Sequence, residues 1–221
     1  MSETLTATPA AARARRGSPI PAIAIAAAIG LAIWGYVGWV HPNLFPENFG
    51  VVEPGKLYRS AALTPGAVKR VHEQYGIKTI VDLGGFDKDP DGDRVAQRTA
   101  DALGIERYVF LLEGDGTGNP NAYVAALNVI NDPSKHPVLV HCSAGAQRTS
   151  GGIMLYKGTL LGQDFTQTHP EAREYRHDPR RNPHLLPFLQ KHEQAIEDAF
   201  KSGTQIEGFP KLEIAPVRES R

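Results

Sequence analysis

The stretch VLVHCSAGAQRTSGG, residues 138–152, holds the only cysteine of the chain, Cys142. Val138, Leu139 and Val140 have the β-branched, apolar character of a buried strand, and His141 and Cys142 end it. Ser143 to Gln147 are small or polar, as a tight loop requires, and RTSGGIMLYKGTLL, residues 148–161, resumes with helical spacing. A strand, a tight loop and a helix start aim several backbone N–H groups at one point, and the helix dipole adds partial positive charge there. Such a cradle, made by the backbone of Ser143, Ala144, Gly145, Ala146 and Gln147, binds a dianion. It also stabilises a thiolate, which predicts a depressed pKa and a nucleophilic role for Cys142. Arg148 opens the helix, and its planar fork can hold two phosphate oxygens at once. Thr149 puts a hydroxyl beside the sulfur, where it can stabilise the thiolate as it leaves. Together these residues suit phosphoryl transfer to cysteine. The plainer reading of Cys142 is a small buried hydrophobe.

The flanking sequence alternates between strand and helix patterns. Val51 to Arg59 read as a short strand or hairpin. Thr64 and Pro65 form a helix start that Gly76 closes, and IKTIVDLGG, residues 77–85, is an apolar strand. A helix over 93–104 follows an aspartate-rich loop, then a strand over 105–113, the loop GDGTGNP, and a helix over 121–131. This alternation predicts an α/β fold: a central, mostly parallel sheet flanked by helices, with ligands at the carboxyl ends of the strands.

Composition narrows the function. Lys plus Arg and Asp plus Glu each number 24, so no global field gathers nucleic acid. A single cysteine cannot make an intramolecular disulfide, and no Cys and His spacing suggests a metal site or a cofactor. At the amino terminus, residues 1–18 read as a disordered basic tail with Arg13, Arg15 and Arg16. Residues 19–40 then read as a transmembrane anchor: Ile20 to Val40 contain no charged residue, and a helix of that length spans about 30 Å. Trp34, Tyr36 and Trp39 sit toward the far end, where aromatic residues favour the interface, and no small-x-small cleavage site follows. The arginines before the span place the amino terminus in the cytoplasm and residues 41–203, the catalytic domain, on the other side. Residues 204–221 read as a loosely ordered tail.

HCSAGAQRTS resembles the His-Cys-x5-Arg-Ser/Thr signature of cysteine-dependent protein tyrosine and dual-specificity phosphatases, and GKLYRSAAL and YGIKTIVDLGG are similar to the first two strands of their compact, atypical branch. The resemblance implies a phosphocysteine mechanism, no metal or cofactor, and a phosphorylated protein or other phosphomonoester as substrate. It also implies an aspartate on a separate loop as general acid. Asp115, 27 residues before Cys142, is the first choice; Glu113 and the loop carrying Asp87, Asp89, Asp91 and Asp93 are alternatives. Many members have glycine in place of Gln147 and Ser150.

Other readings remain open: a tethered phosphate-binding module with little turnover, a phosphoinositide phosphatase, although SAGAQ carries no lysine, and a rhodanese-like sulfurtransferase, which Arg148 and Thr149 disfavour. The run REYRHDPRRNPH, residues 173–184, reads as a solvated loop or a basic wall by the pocket, and the histidines at 136, 169, 177, 184 and 192 as surface residues. His141 reads as a residue that supports the loop.

Overall fold

The computed structural model describes residues 20–218; the basic tail and its three arginines, together with residues 219–221, lie outside them. The chain divides at Trp39/Val40 into two units. In the first, helix α1 (Ile20–Gly35) is followed by a π-helical turn, Tyr36–Val40, at whose end the division falls; the short α2 (His41–Leu44) opens the second. The stretch Ile25–Leu44 is long and apolar enough to cross a membrane, with Ile29, Leu31, Ile33 and Trp34 exposed.

The second unit is an α/β fold. A hairpin, β1 (Gly50–Glu53) and β2 (Leu57–Ala61), leads to α3 (Pro65–Tyr75), β3 (Thr79–Asp82), α4 (Pro90–Leu103), β4 (Glu106–Val109) and α5 (Asn121–Asn131). Then come β5 (Val138–Cys142), α6 (Gln147–Leu161), α7 (Phe165–Glu174) and α8 (Leu185–Ser202). The five strands lie in the order β1-β2-β5-β3-β4. The sheet is mixed: β1 is antiparallel to β2, and every other pairing is parallel. Ala61 lies opposite Cys142 and Asp82 opposite His141, so β2, β3 and β5 end together at the loop that follows Cys142.

Strand alternation divides the core in two. Val138, Val140 and Cys142 point into the larger cluster, with Tyr123 and Leu127 of α5, Ile153 of α6 and Leu189 of α8. Leu139 points the other way, with Val71 of α3 and Ala100 of α4. The helix ends follow local chemistry. Thr64 Oγ1 accepts the Ala67 N–H at 3.3 Å, Pro65 occupies the first turn, and Gly76 ends α3 at φ 68°. Helix α4 begins earlier than its apolar spacing predicts, because Asp89 caps it through Gly92 N at 2.9 Å.

The carboxyl-terminal segment differs from the loose order expected of it. Residues 204–218 form neither helix nor strand, yet buried polar side chains and a strand edge hold them. Asn121 Oδ1 accepts from Ile206 N at 2.7 Å, Gln97 Nε2 donates to Val217 O at 3.1 Å, and Val217 N donates to Arg107 O at 2.7 Å. That last bond covers part of the free edge of β4.

Candidate active site

Cys142 ends β5 and is buried, and α6 begins five residues later at Gln147. The loop between them is held from behind by its carbonyls. Ser143 O accepts from Ala62 N at 2.9 Å, Ala144 O from Asn48 Nδ2 at 3.0 Å, and Gly145 O from Arg59 Nη2 at 2.8 Å. Each planar peptide sets its amide opposite its carbonyl, so these three bonds turn the amides of Ala144, Gly145 and Ala146 the other way. Gly145 is required here: its φ is +66°, and a Cβ would stand 2.5 Å from Ser60 O.

Arg59 was not foreseen, although an arginine in the apolar strand LYRSA demands a buried partner. Its Nη2 also donates to Ser150 Oγ at 2.9 Å, and its guanidinium lies 3.7 Å from the centre of the Tyr175 ring. Burial lowers its pKa to about 10. Ser150 therefore ties α6 to β2 through Arg59.

Arg148 is 6% exposed. Its Nη1 donates to Gly84 O and lies 3.8 Å from Asp87 Oδ1, while its Nε has no hydrogen-bond partner among the described residues. Thr149 is fully buried, and its Oγ1 likewise has no partner, the Cys142 sulfur included. Arg148 and Ser143 line a cavity of about 500 Å³ with Gly85, Asp87, Lys88 and Gly114.

The adjoining loop carries Asp115. Its carboxylate accepts from Thr117 N at 3.0 Å and Thr117 Oγ1 at 2.7 Å; burial opposes ionisation, but these two bonds outweigh it and lower the pKa. Tyr123 Oη anchors the loop by donating to Gly116 O at 2.7 Å. Burial raises the Tyr123 pKa. Of the alternatives, Glu113 is exposed. Asp89 caps α4, Asp91 pairs with Arg94, and Asp93 lies 2.5 Å from Arg107; Asp87 alone approaches Arg148.

Behind His141 lies a buried charge cluster that the sequence reading did not contain. Arg107 Nη2 lies 2.6 Å from Asp82 Oδ2, both side chains being almost fully buried, and Asp82 Oδ1 also accepts from Gly85 N at 2.5 Å. Burial lowers the His141 pKa, so the ring is neutral at pH 7, and Arg107 is then the charge that keeps Asp82 ionised against burial. His141 thus supports the loop from within this cluster, its ring 3.9 Å from Asp82.

His177 corrects the surface reading of the histidines: it is 3% exposed. Its Nδ1 meets Gln147 Oε1, and its Nε2 lies 3.1 Å from His169 Nε2. Burial, and to a lesser degree neighbouring positive charge, lowers both pKa values, which suits a neutral chain in which His169 donates to His177 and His177 to Gln147. The run 173–184 belongs partly to α7; Arg176 pairs with Glu47, while Arg180 and Arg181 lie near Asp178.

The profile of the family described as "DSP-PTPase phosphatase fused to NAD+ Kinase" matches residues 50–183, more than half of the chain. The chain belongs to this family. Its members and structural neighbours are atypical cysteine-based phosphatases of the protein tyrosine phosphatase superfamily. The fold is similar to the core catalytic domain of the PP-IP phosphatase SIW14 from S. cerevisiae, at TM-score 0.56 and 22% identity, over 72% of this chain and 94% of that one. TpbA from P. aeruginosa, also solved with pTyr, aligns at TM-score 0.57 and 19% identity over 71% and 91% of the two chains. Tk-PTP aligns at TM-score 0.56 and 16% identity over 68% and 97%. Among curated proteins nothing matches.

Proposed function

We propose that the chain is a phosphomonoester hydrolase acting through a phosphocysteine at Cys142. One observation carries this reading: the buried Arg148 keeps an unpartnered Nε–H beside a loop whose carbonyls are turned away from its centre. A buried donor without an acceptor is costly, and a phosphate oxygen satisfies it. In the first step the Cys142 thiolate attacks phosphorus, the P–O bond to the leaving group breaks, and Asp115 gives its proton to the departing oxygen. In the second, Asp115 takes a proton from water, the resulting hydroxide attacks phosphorus, and the P–S bond breaks. The loop amides and Arg148 hold the equatorial oxygens throughout, and the Thr149 hydroxyl, free in the resting state, stabilises the departing thiolate.

The acid must be protonated to act, and the Thr117 bonds hold Asp115 low in the free chain. The value of kcat/KM therefore falls as pH rises, with an optimum on the acid side of neutrality. Aryl phosphate hydrolysis by the full-length chain, with EDTA and reductant present, tests this. Asp115→Asn should lower activity about 10²- to 10⁴-fold and remove the basic limb. A retained limb would move the acid role to Asp87, which faces Arg148.

Residues 41–203 form the phosphatase domain in this reading. The apolar stretch Ile25–Leu44 supports anchoring in a membrane, and Arg13, Arg15 and Arg16 support a cytoplasmic amino terminus with the catalytic domain on the far side. Protease added to right-side-out vesicles should then remove the domain. Protection there, with cleavage in inverted vesicles, would reverse the orientation.

A further inference from the structure

Helix α6 opens with Gln147 and Arg148, and Ala146 before them supplies no side-chain cap. Arg59 braces this helix one turn on, through Ser150 at 2.9 Å. At its first residue the brace comes from the end of α7. There Arg176 adopts φ 65°, a left-handed conformation that glycine usually takes. Such strain persists where the surrounding structure imposes it, and it gathers at functional sites. Arg176 N donates to Arg173 O and His177 N to Ala172 O, both at 3.2 Å, which closes α7 and turns His177 inward until it is 3% exposed. The Gln147 carboxamide oxygen can only accept, so the His177 Nδ1 that meets it carries the proton. A neutral His177 then has a bare Nε2, and His169 Nε2, 3.1 Å away, supplies the hydrogen. His169 thus sets the tautomer of His177. The other tautomer would leave two acceptors facing each other and release Gln147, the residue from which Arg148 follows directly.

We propose that His177, with its tautomer fixed by His169, is a positioning residue for phosphate binding: by holding the Gln147 carboxamide it sets the first turn of α6 and the direction of Arg148. The proposal rests on the phosphatase reading for its effect on turnover. Orthovanadate binding to the full-length chain tests it without turnover, with circular dichroism melts giving the folded fraction of each variant. His177→Phe keeps a ring but has no donor; it should weaken vanadate binding about tenfold and lower aryl phosphate kcat/KM about 10- to 100-fold, as small displacements of binding groups do. His177→Asn, whose amide donates from near the Nδ1 position, should bring vanadate affinity back to within about threefold of the parent. Gln147→Met removes the acceptor and should cost as much as His177→Phe, and the two together should cost no more than either alone. His169→Phe should weaken binding in the parent but not in His177→Asn, whose donor needs no partner to fix it. Additive losses in the double variant, or a His177→Asn no better than His177→Phe, would reduce His177 to packing and overturn the proposal. An equal loss from His169→Phe in both backgrounds would overturn the part given to His169. A parent that binds vanadate but hydrolyses no ester defeats the phosphatase reading, while the vanadate affinities still decide the role of His177.

Discussion

Cys142→Ser is expected to lower aryl phosphate turnover by on the order of 10⁴-fold or more while leaving the fold and phosphate binding in place. The reason lies in the nucleophile itself: a serine hydroxyl is far less acidic than a thiol and needs a base to remove its proton. His141 is not placed to serve as that base: it is buried, and its Nδ1 lies 3.4 Å from the Cys142 carbonyl oxygen. The loop carbonyls stay bound to Ala62, Asn48 and Arg59 whichever atom stands at position 142, so a phosphate analogue should still bind. Steady-state hydrolysis with orthovanadate binding measured in parallel separates the two effects. A serine variant within tenfold of the parent would mean that the reaction bypasses Cys142. A parent that binds vanadate and hydrolyses nothing would make the chain a phosphate-binding module.

Arg107→Met should destabilise the catalytic unit by about 3–5 kcal/mol. The substitution keeps most of the apolar stem but leaves the fully buried Asp82 carboxylate without its cation. A paired replacement, Asp82→Leu with Arg107→Met, should recover much of the loss, because the penalty comes from an uncompensated charge rather than from absent attraction. Denaturant melts followed by circular dichroism measure both; a single variant within about 1 kcal/mol of the parent would show that Asp82 is not held as an ion. The pH dependence follows from the direction of the Asp82 shift. Its folded pKa is lowered, so its contribution is complete above the ordinary carboxylate value of about 4 and fades as pH falls through the folded value. Stability of the parent should therefore decline in acid more steeply than that of Asp82→Asn.

Cys142, its loop and Arg148 were legible because they are contiguous: strand, turn and helix start follow each other within a dozen residues, and local rules suffice to read them. The cap at Thr64 and the stop at Gly76 were legible for the same reason. Asp115 was legible as a loop carboxylate, but its choice over Glu113 leaned on a family resemblance. Arg59, Tyr123, His177 and the Asp82–Arg107 pair were not read as parts of the site.

The sequence by itself determined the strand, tight loop and helix start around Cys142, the alternation of strands and helices, and an apolar stretch long enough to span a bilayer, since each depends on neighbours along the chain. Only the tertiary structure decided what stands behind the loop. Placing β5 between β2 and β3 brings Arg59 to Gly145 across 86 positions, and it sets Asp82 opposite His141. The fold likewise turns His177 inward onto Gln147. A buried charge takes its meaning from the partner that the strand order supplies, and that order depends on long-range packing, which no local pattern of residues records.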